Sequence, residues 1–158
     1  MTATITEVCI SAQAAQLIQL ESNSKWPQET GGIVLGSFEG STVRIHQATH
    51  PGPNAKHGLA SFIRDGEFAQ QELERVFSET NGSVDYIGEW HSHTLHVGPS
   101  PRDRRSMEFI AKSSQYSATN PVLLLALPRR LVGNRTYEIK AFVLVASKLV
   151  QVPVIKVS

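Results

Sequence analysis

Tyr86-Ile87-Gly88-Glu89-Trp90-His91-Ser92-His93, followed after a short loop by Ser100-Pro101-Arg102-Asp103, is the stretch around which the rest of the chain is organised. Side chains on a strand alternate between faces, so an extended segment through Trp90 puts His91 and His93 on one side, about 6 to 7 Å apart along the backbone. Two imidazoles so placed can hold one metal ion. Nitrogen ligation of a first-row divalent ion calls for further ligands, and the nearest carboxylate beyond the loop is Asp103. Three protein ligands leave one coordination position open, which is what separates a catalytic zinc site from a structural one. Ser100 reads as a helix N-cap, Pro101 as the first helical residue and Asp103 as an acidic residue in the first turn. Helical side chains lean toward the N-terminus, so Asp103 is expected to point at the strand end that carries the histidines. His-x-His alone and Ser-Pro-x-Asp alone each have an ordinary structural explanation, a polar strand surface and a capping box. Their conjunction at short range argues for a metal.

Working outward, the apolar pattern predicts a strand over 5–10 and an amphipathic helix over 11–22 capped by Ser11. Two strands over 32–38 and 42–49 are joined at Glu39-Gly40-Ser41, with Glu29 at the entrance of the first. Residues 51–61 are rich in Pro, Gly, Asn and His and read as a long loop that lines a substrate groove. A packing helix is expected over 65–80, ended by Asn81-Gly82, and then the metal strand over 85–93. The helix begun at Pro101 is expected to run to about Ser117, with a basic start in Arg102, Arg104 and Arg105 that the helix dipole disfavours. Beside a cleft, such a start suits an acidic partner. The nearly continuous apolar run 121–127 suits a strand buried on both faces, followed by a Gly-Asn turn within 131–135 and strands over 137–147 and 149–157. The fold class expected is α/β, of the α+β type, with a mixed sheet and flanking helices.

Composition narrows the function. A chain of 158 residues with 41% hydrophobic residues suits one domain over 1–158 with a full core. A net charge of +1 gives no bulk electrostatic case for nucleic acid. The single cysteine, Cys9, removes cysteine-based zinc patterns, including the paired cysteines of a zinc deaminase. The first residues lack a basic region followed by an apolar run, and no segment approaches about 18 continuous apolar residues, so the expectation is a cytoplasmic protein without a membrane span.

The histidine and aspartate pieces, together with Glu29-Thr30-Gly31-Gly32-Ile33-Val34-Leu35-Gly36 and Pro51-Gly52-Pro53-Asn54, resemble the JAMM motif of the JAB/MPN metalloproteases, most closely the prokaryotic JAB branch. The resemblance runs from about Glu29 to Leu127. Thr94 stands where that family usually has proline, and six residues rather than seven separate His93 from Ser100, so a tightened loop is expected. The resemblance implies a JAB/MPN (cytidine-deaminase-like) architecture, a Zn2+ ion on His91, His93 and Asp103, and catalytic roles for Glu29 and Ser100. Spacing alone leaves Glu89 and Glu29 as rival general bases, since Glu89 shares the strand face of His91. The resemblance decides for Glu29. It also implies that Ser100 donates to the oxyanion of an amide hydrolysis, a role that competes with helix capping for one hydroxyl. His96 lies in a loop that no regular element constrains and is set aside as a third histidine ligand, while His46, His50 and His57 are expected at the surface or in the groove.

By the same resemblance, the activity is an isopeptidase or peptidase cutting after the C-terminus of a ubiquitin-like protein. The partners are that protein or its conjugate and an E1-like or E2-like conjugating enzyme, including those of bacterial anti-phage defence. The substrate tail would lie extended beside a sheet edge. A peptidase that processes a sulfur-carrier precursor and a non-catalytic MPN scaffold are the alternatives.

Overall fold

The computed structural model describes residues 4–113, 116, 118, 120–129 and 135–157. The elements follow the order β1 (Glu7–Ser11), α1 (Ala12–Lys25), β2 (Gly31–Glu39), β3 (Thr42–Ala48), β4 (Lys56–His57), β5 (Phe62–Ile63), α2 (Gly66–Glu79), β6 (Asp85–Ser92), α3 (Pro101–Lys112), β7 (Val122–Pro128), β8 (Tyr137–Val145), β9 (Lys148–Val152) and β10 (Val154–Val157). Eight strands make one mixed sheet in the order β10-β1-β3-β2-β6-β7-β8-β9. Pairing is parallel at β10–β1, β1–β3 and β6–β7 and antiparallel elsewhere. The α/β class with a mixed sheet and flanking helices is thus the observed one.

Local chemistry explains most boundaries. Ser11 caps α1 by accepting from the Ala14 amide at 3.1 Å, and Asp65 caps α2 by accepting from Phe68 at 3.1 Å. Gly40 turns the β2–β3 hairpin at φ +63°, where a Cβ would be strained. Three expectations need correction. The segment 51–61 is not wholly a loop, because Lys56 and His57 pair with Ile63 and Phe62 in a small hairpin. Helix α3 ends at Lys112 rather than near Ser117, since Ser113 leaves the helix at ψ 134° while its amide still donates to Ile110. The last predicted strand is two: Pro153, which cannot donate a ladder hydrogen bond, separates β9 from β10. The Gly-Asn turn expected within 131–135 lies outside the described residues, apart from Arg135.

Pro153 also reveals the shape of the sheet. Strands β9 and β10 are consecutive in the chain, yet they stand at opposite ends of the strand order, so the sheet curls until its two ends meet. The side toward α1 is filled by Ala14, Ala15 and Ile18 against strand residues such as Val8, Val34, Trp90 and Leu124. On the other side Ala69 and Val76 of α2 and Met107 and Ile110 of α3 cover Ile33, Leu35, Leu123 and Phe142. Each fully buried Val, Leu, Ile, Met or Phe side chain among them contributes about 1.5–3 kcal/mol. Strands β2 and β6 lie at the centre of this arrangement and carry the residues described next.

Candidate metal centre

Strand β6 pairs with β2 so that His91 faces Gly31, Trp90 faces Gly32 and Glu89 faces Ile33. Trp90 turns into the core beside α1, with its indole N–H donating to the Thr49 carbonyl at 3.0 Å. His91 and Glu89 accordingly project to the opposite face, toward α3. Two glycines permit this approach. A Cβ on Gly31 would sit 2.3 Å from the Trp90 carbonyl oxygen and 2.8 Å from His91 Cβ, and one on Gly32 would sit 2.4 Å from the Thr49 carbonyl oxygen.

At the start of α3 the capping box is complete. The Asp103 amide donates to Ser100 Oγ at 3.1 Å, and the Ser100 amide donates to Asp103 Oδ2 at 2.7 Å. This fixes the Asp103 carboxylate 2.9 Å from His91 Nε2 and 3.4 Å from His93 Nε2. One ligand atom from each of the three residues lies within 4.8 Å of the other two. His93 Nδ1 is 2.9 Å from the Val97 carbonyl oxygen, which can only accept, so Nδ1 carries a proton and Nε2, once its own proton is lost, is the nitrogen left to bind a metal. Two imidazole nitrogens and a carboxylate oxygen on a common centre fit a divalent metal ion. Burial by itself raises the carboxyl pKa of Asp103, but the hydrogen bonds from His91 and His93 and their charge hold it far below the ordinary range. His93 shows the converse: burial favours its neutral form, and the Asp103 bond overrides that to raise its pKa.

Glu29 lines the same cleft of about 600 Å³ as His91, His93, Ser100 and Asp103. Its backbone is held from both sides by the small hairpin: its amide donates to the Gly58 carbonyl at 2.7 Å, and His57 Nδ1 donates to its carbonyl oxygen at 2.9 Å. The carboxylate makes no hydrogen bond among the described residues. Burial raises its pKa, opposed by the charges of His91 and His93.

Residues 11–143 match the family described as prokaryotic homologs of the JAB domain. The chain belongs to this family. A probable metalloprotease of Sinorhizobium fredii is 34% identical over 129 residues, which is 74% of this chain and 78% of that protein. A CD-NTase/cGAS isopeptidase of Enterobacter hormaechei is 32% identical over 124 residues, 75% of this chain and 66% of that protein. One from Escherichia coli is 30% identical over 105 residues, 65% and 63% of the two chains. The solution structure of a protein from Desulfitobacterium hafniense superposes with a TM-score of 0.68 over 96% of this chain and 93% of that one, at 15% identity, a likeness of fold. The chain is therefore a JAB-type hydrolase, a peptidase or isopeptidase.

Within this JAB site, Ser100 corrects one expectation. Capping and donation do not compete, because the hydroxyl caps the helix with a lone pair and keeps its proton free to donate into the cleft. Glu89 is engaged elsewhere, accepting from Arg64 Nε at 2.8 Å and from the Tyr86 hydroxyl at 2.6 Å. Strict alternation would put Tyr86 and Glu89 on opposite faces. The register shift opposite Val34 and Leu35 leaves Ile87 as an extra residue, and this bulge brings the two side chains to one face. His96 is 3.2 Å from Glu138, away from the three ligands.

Thr94 is a residue that motif reasoning marked only as a departure from proline. Its hydroxyl lies 2.8 Å from the Pro27 carbonyl and 2.6 Å from the Leu59 carbonyl, while its own carbonyl accepts from Trp26 Nε1 at 3.3 Å. It joins the loop after His93 both to the approach to Glu29 and to the hairpin tip. Its partners are 67 and 35 residues away in sequence, so no local pattern could have shown them.

Proposed function

We propose that this chain is a zinc-dependent isopeptidase that cuts after the C-terminus of a ubiquitin-like protein, on conjugates made by E1-like and E2-like enzymes in bacterial anti-phage defence, and that it acts in the cytoplasm. The observation that carries the reading is the convergence of His91, His93 and Asp103 beside a cleft into which an unbonded Glu29 carboxylate also opens. The isopeptidase names of the E. coli and Enterobacter relatives support the conjugate as substrate over a linear precursor.

His91, His93 and Asp103 would hold the zinc ion. A zinc ion there supplies Lewis acidity and brings the ionisation of water within reach of neutral pH. Glu29, made more basic by burial, takes a proton from the attacking water at its carboxylate oxygen and returns it to the leaving amine. The Ser100 hydroxyl donates to the oxyanion of the scissile carbonyl while its lone pair continues to cap α3. The extended tail of the substrate pairs with the β4–β5 hairpin, since β2 and β6 have strands on both sides and offer no edge.

The test is metal content together with linkage preference. Purified protein should carry close to one zinc per chain by plasma mass spectrometry and should hydrolyse a lysine-linked conjugate faster than a linear C-terminal extension. Glu29→Gln should keep the metal and lose about 10²- to 10⁴-fold in kcat. Faster cutting of the linear extension would instead indicate precursor processing. Folded protein that takes up no zinc would make the chain a scaffold and overturn the proposal.

A further inference from the structure

The outward face of α3 continues the cleft. Arg102, Arg105 and Ser106 line both the metal-bearing cleft and an adjoining recess of about 480 Å³ that ends on Phe109, Ile110 and Tyr116. Positions 102, 105, 106 and 109 follow the i, i+3, i+4, i+7 spacing of a single helix face. Phe109 is 67% exposed and stands as an apolar ring at the far end of this face.

The two arginines stand apart from the other described arginines. Arg44, Arg64, Arg75, Arg104 and Arg129 each pair with a glutamate, and Arg135 stacks over Trp26 at 3.7 Å. Arg102 and Arg105 make no ion pair and no side-chain hydrogen bond among the described residues. Arg102 also occupies the first turn of a helix, where the backbone dipole disfavours a cation. A local electrostatic rule broken at Arg102, with a second unpaired guanidinium one turn on at the rim of the cleft, points to a use in recognition.

From this we infer that α3 reads the sequence of the substrate: Arg102 and Arg105 receive an acidic side chain of the polypeptide close to its scissile bond, and Phe109 receives an apolar one farther along. The inference rests on the peptidase or isopeptidase reading of the site and adds to it a sequence preference. Arg102 is next to the ligand Asp103, which keeps the acidic residue near the reacting carbonyl. From Arg102 to Phe109 the helix rises about 10 Å, a span that an extended peptide covers in about three residues. The pattern expected is therefore acidic-x-x-apolar. Two guanidinium groups on a chain of net charge +1 suit one carboxylate far better than a nucleic-acid backbone, which calls for a longer basic stripe.

The test measures binding. Two short fluorescein-labelled peptides, identical except for Asp-Ala-Ala-Leu in one and Asn-Ala-Ala-Leu in the other, are titrated by anisotropy against zinc-loaded Glu29→Gln protein. The Asp peptide should bind about tenfold more tightly. The gap should close in a background of Arg105→Gln with Arg102→Gln and should survive Arg104→Gln, which removes the same charge from an arginine already paired with Glu108. Arg105→Glu should favour a Lys-Ala-Ala-Leu peptide. Circular dichroism confirms that each variant is folded.

Equal binding of the Asp and Asn peptides, binding of neither, or an equal loss in Arg104→Gln would overturn the inference. So would tighter binding of a thymidine oligonucleotide, or self-association that Arg105→Glu abolishes. Turnover of both conjugates with charge-blind binding defeats this inference alone. Absence of turnover in the loaded wild type, with the charge preference intact, defeats the hydrolytic reading and leaves α3 as an acidic-peptide surface.

Discussion

Replacing Arg64 by alanine tests how the hairpin that holds Glu29 is fastened to β6. Arg64 directly follows β5, and its guanidinium bonds both Glu89 at 2.8 Å and the Tyr116 hydroxyl at 2.9 Å. The two charged side chains are 20% and 17% exposed, so the ion pair is mostly withdrawn from water. The Tyr86 phenol is held protonated far above its ordinary range, first by burial and then by the Glu89 charge, and it goes on donating to Glu89 in the variant. Breaking a fully buried pair costs about 3–5 kcal/mol; residual exposure and the surviving Tyr86 bond reduce this to about 2–3 kcal/mol. At about 2–4 °C per kcal/mol for a chain of this size, Tm should fall by about 5–10 °C. Urea unfolding of metal-free protein, followed by tryptophan fluorescence, gives the free energy directly. The double variant Arg64→Met with Glu89→Leu removes both charges and should recover most of the loss. A single-variant cost under about 0.5 kcal/mol, or a double variant no better than the single, would refute the claim that an uncompensated carboxylate is the cause.

Gly31→Ala forces a methyl group against the Trp90 carbonyl and His91, and should cost about 1–3 kcal/mol and weaken zinc binding in a chelator competition. Ser100 can be divided by two substitutions. Ser100→Ala should cost about 1 kcal/mol of stability through the lost cap, and Ser100→Gly only a few tenths, while both should lose about 10²- to 10³-fold in kcat if the free hydroxyl proton is the oxyanion donor. In metal-free protein the depressed Asp103 pKa stabilises above the ordinary carboxyl value of 3.8 and is lost as pH falls through its lower folded value. The raised His93 pKa stabilises fully below 6.5 and is lost as pH rises through its higher folded value. Thermal melts should therefore be highest between about pH 4 and 6.5, and Asp103→Asn should flatten both limbs.

The candidate metal site was more legible in the sequence than the apparatus around it. His91, His93, Ser100 and Asp103 lie within thirteen residues of one another, and strand alternation and helix capping are local rules, so their geometry could be worked out from spacing. Glu29 is different. Nothing local distinguishes it from a solvated charge; the β2–β6 ladder and the β4–β5 hairpin bring it to the cleft, and family resemblance alone singles it out. The ties from Arg64 to Glu89, from Thr94 to Pro27 and from His57 to Glu29 span 25 to 67 residues and had no signature at all. The Ile87 bulge breaks simple alternation for Tyr86, and Pro153 divides an otherwise apolar run into β9 and β10. The small β4–β5 hairpin and the end of α3 at Ser113 are different, because there the deciding contacts are local and only their pattern is weak.

The closure of the sheet at Pro153 has a dynamic consequence. Thermal breathing of a sheet begins at its rims, where one flank of each strand lacks a ladder, and must pass from strand to strand to move inward. Counting from either rim, β2 and β6 occupy the fourth place, so the histidine-bearing pair lies as deep as an eight-stranded order allows. Amide exchange should accordingly be fastest at β9 and β10 and slowest beside His91, leaving the reaction centre still while the seam opens and closes.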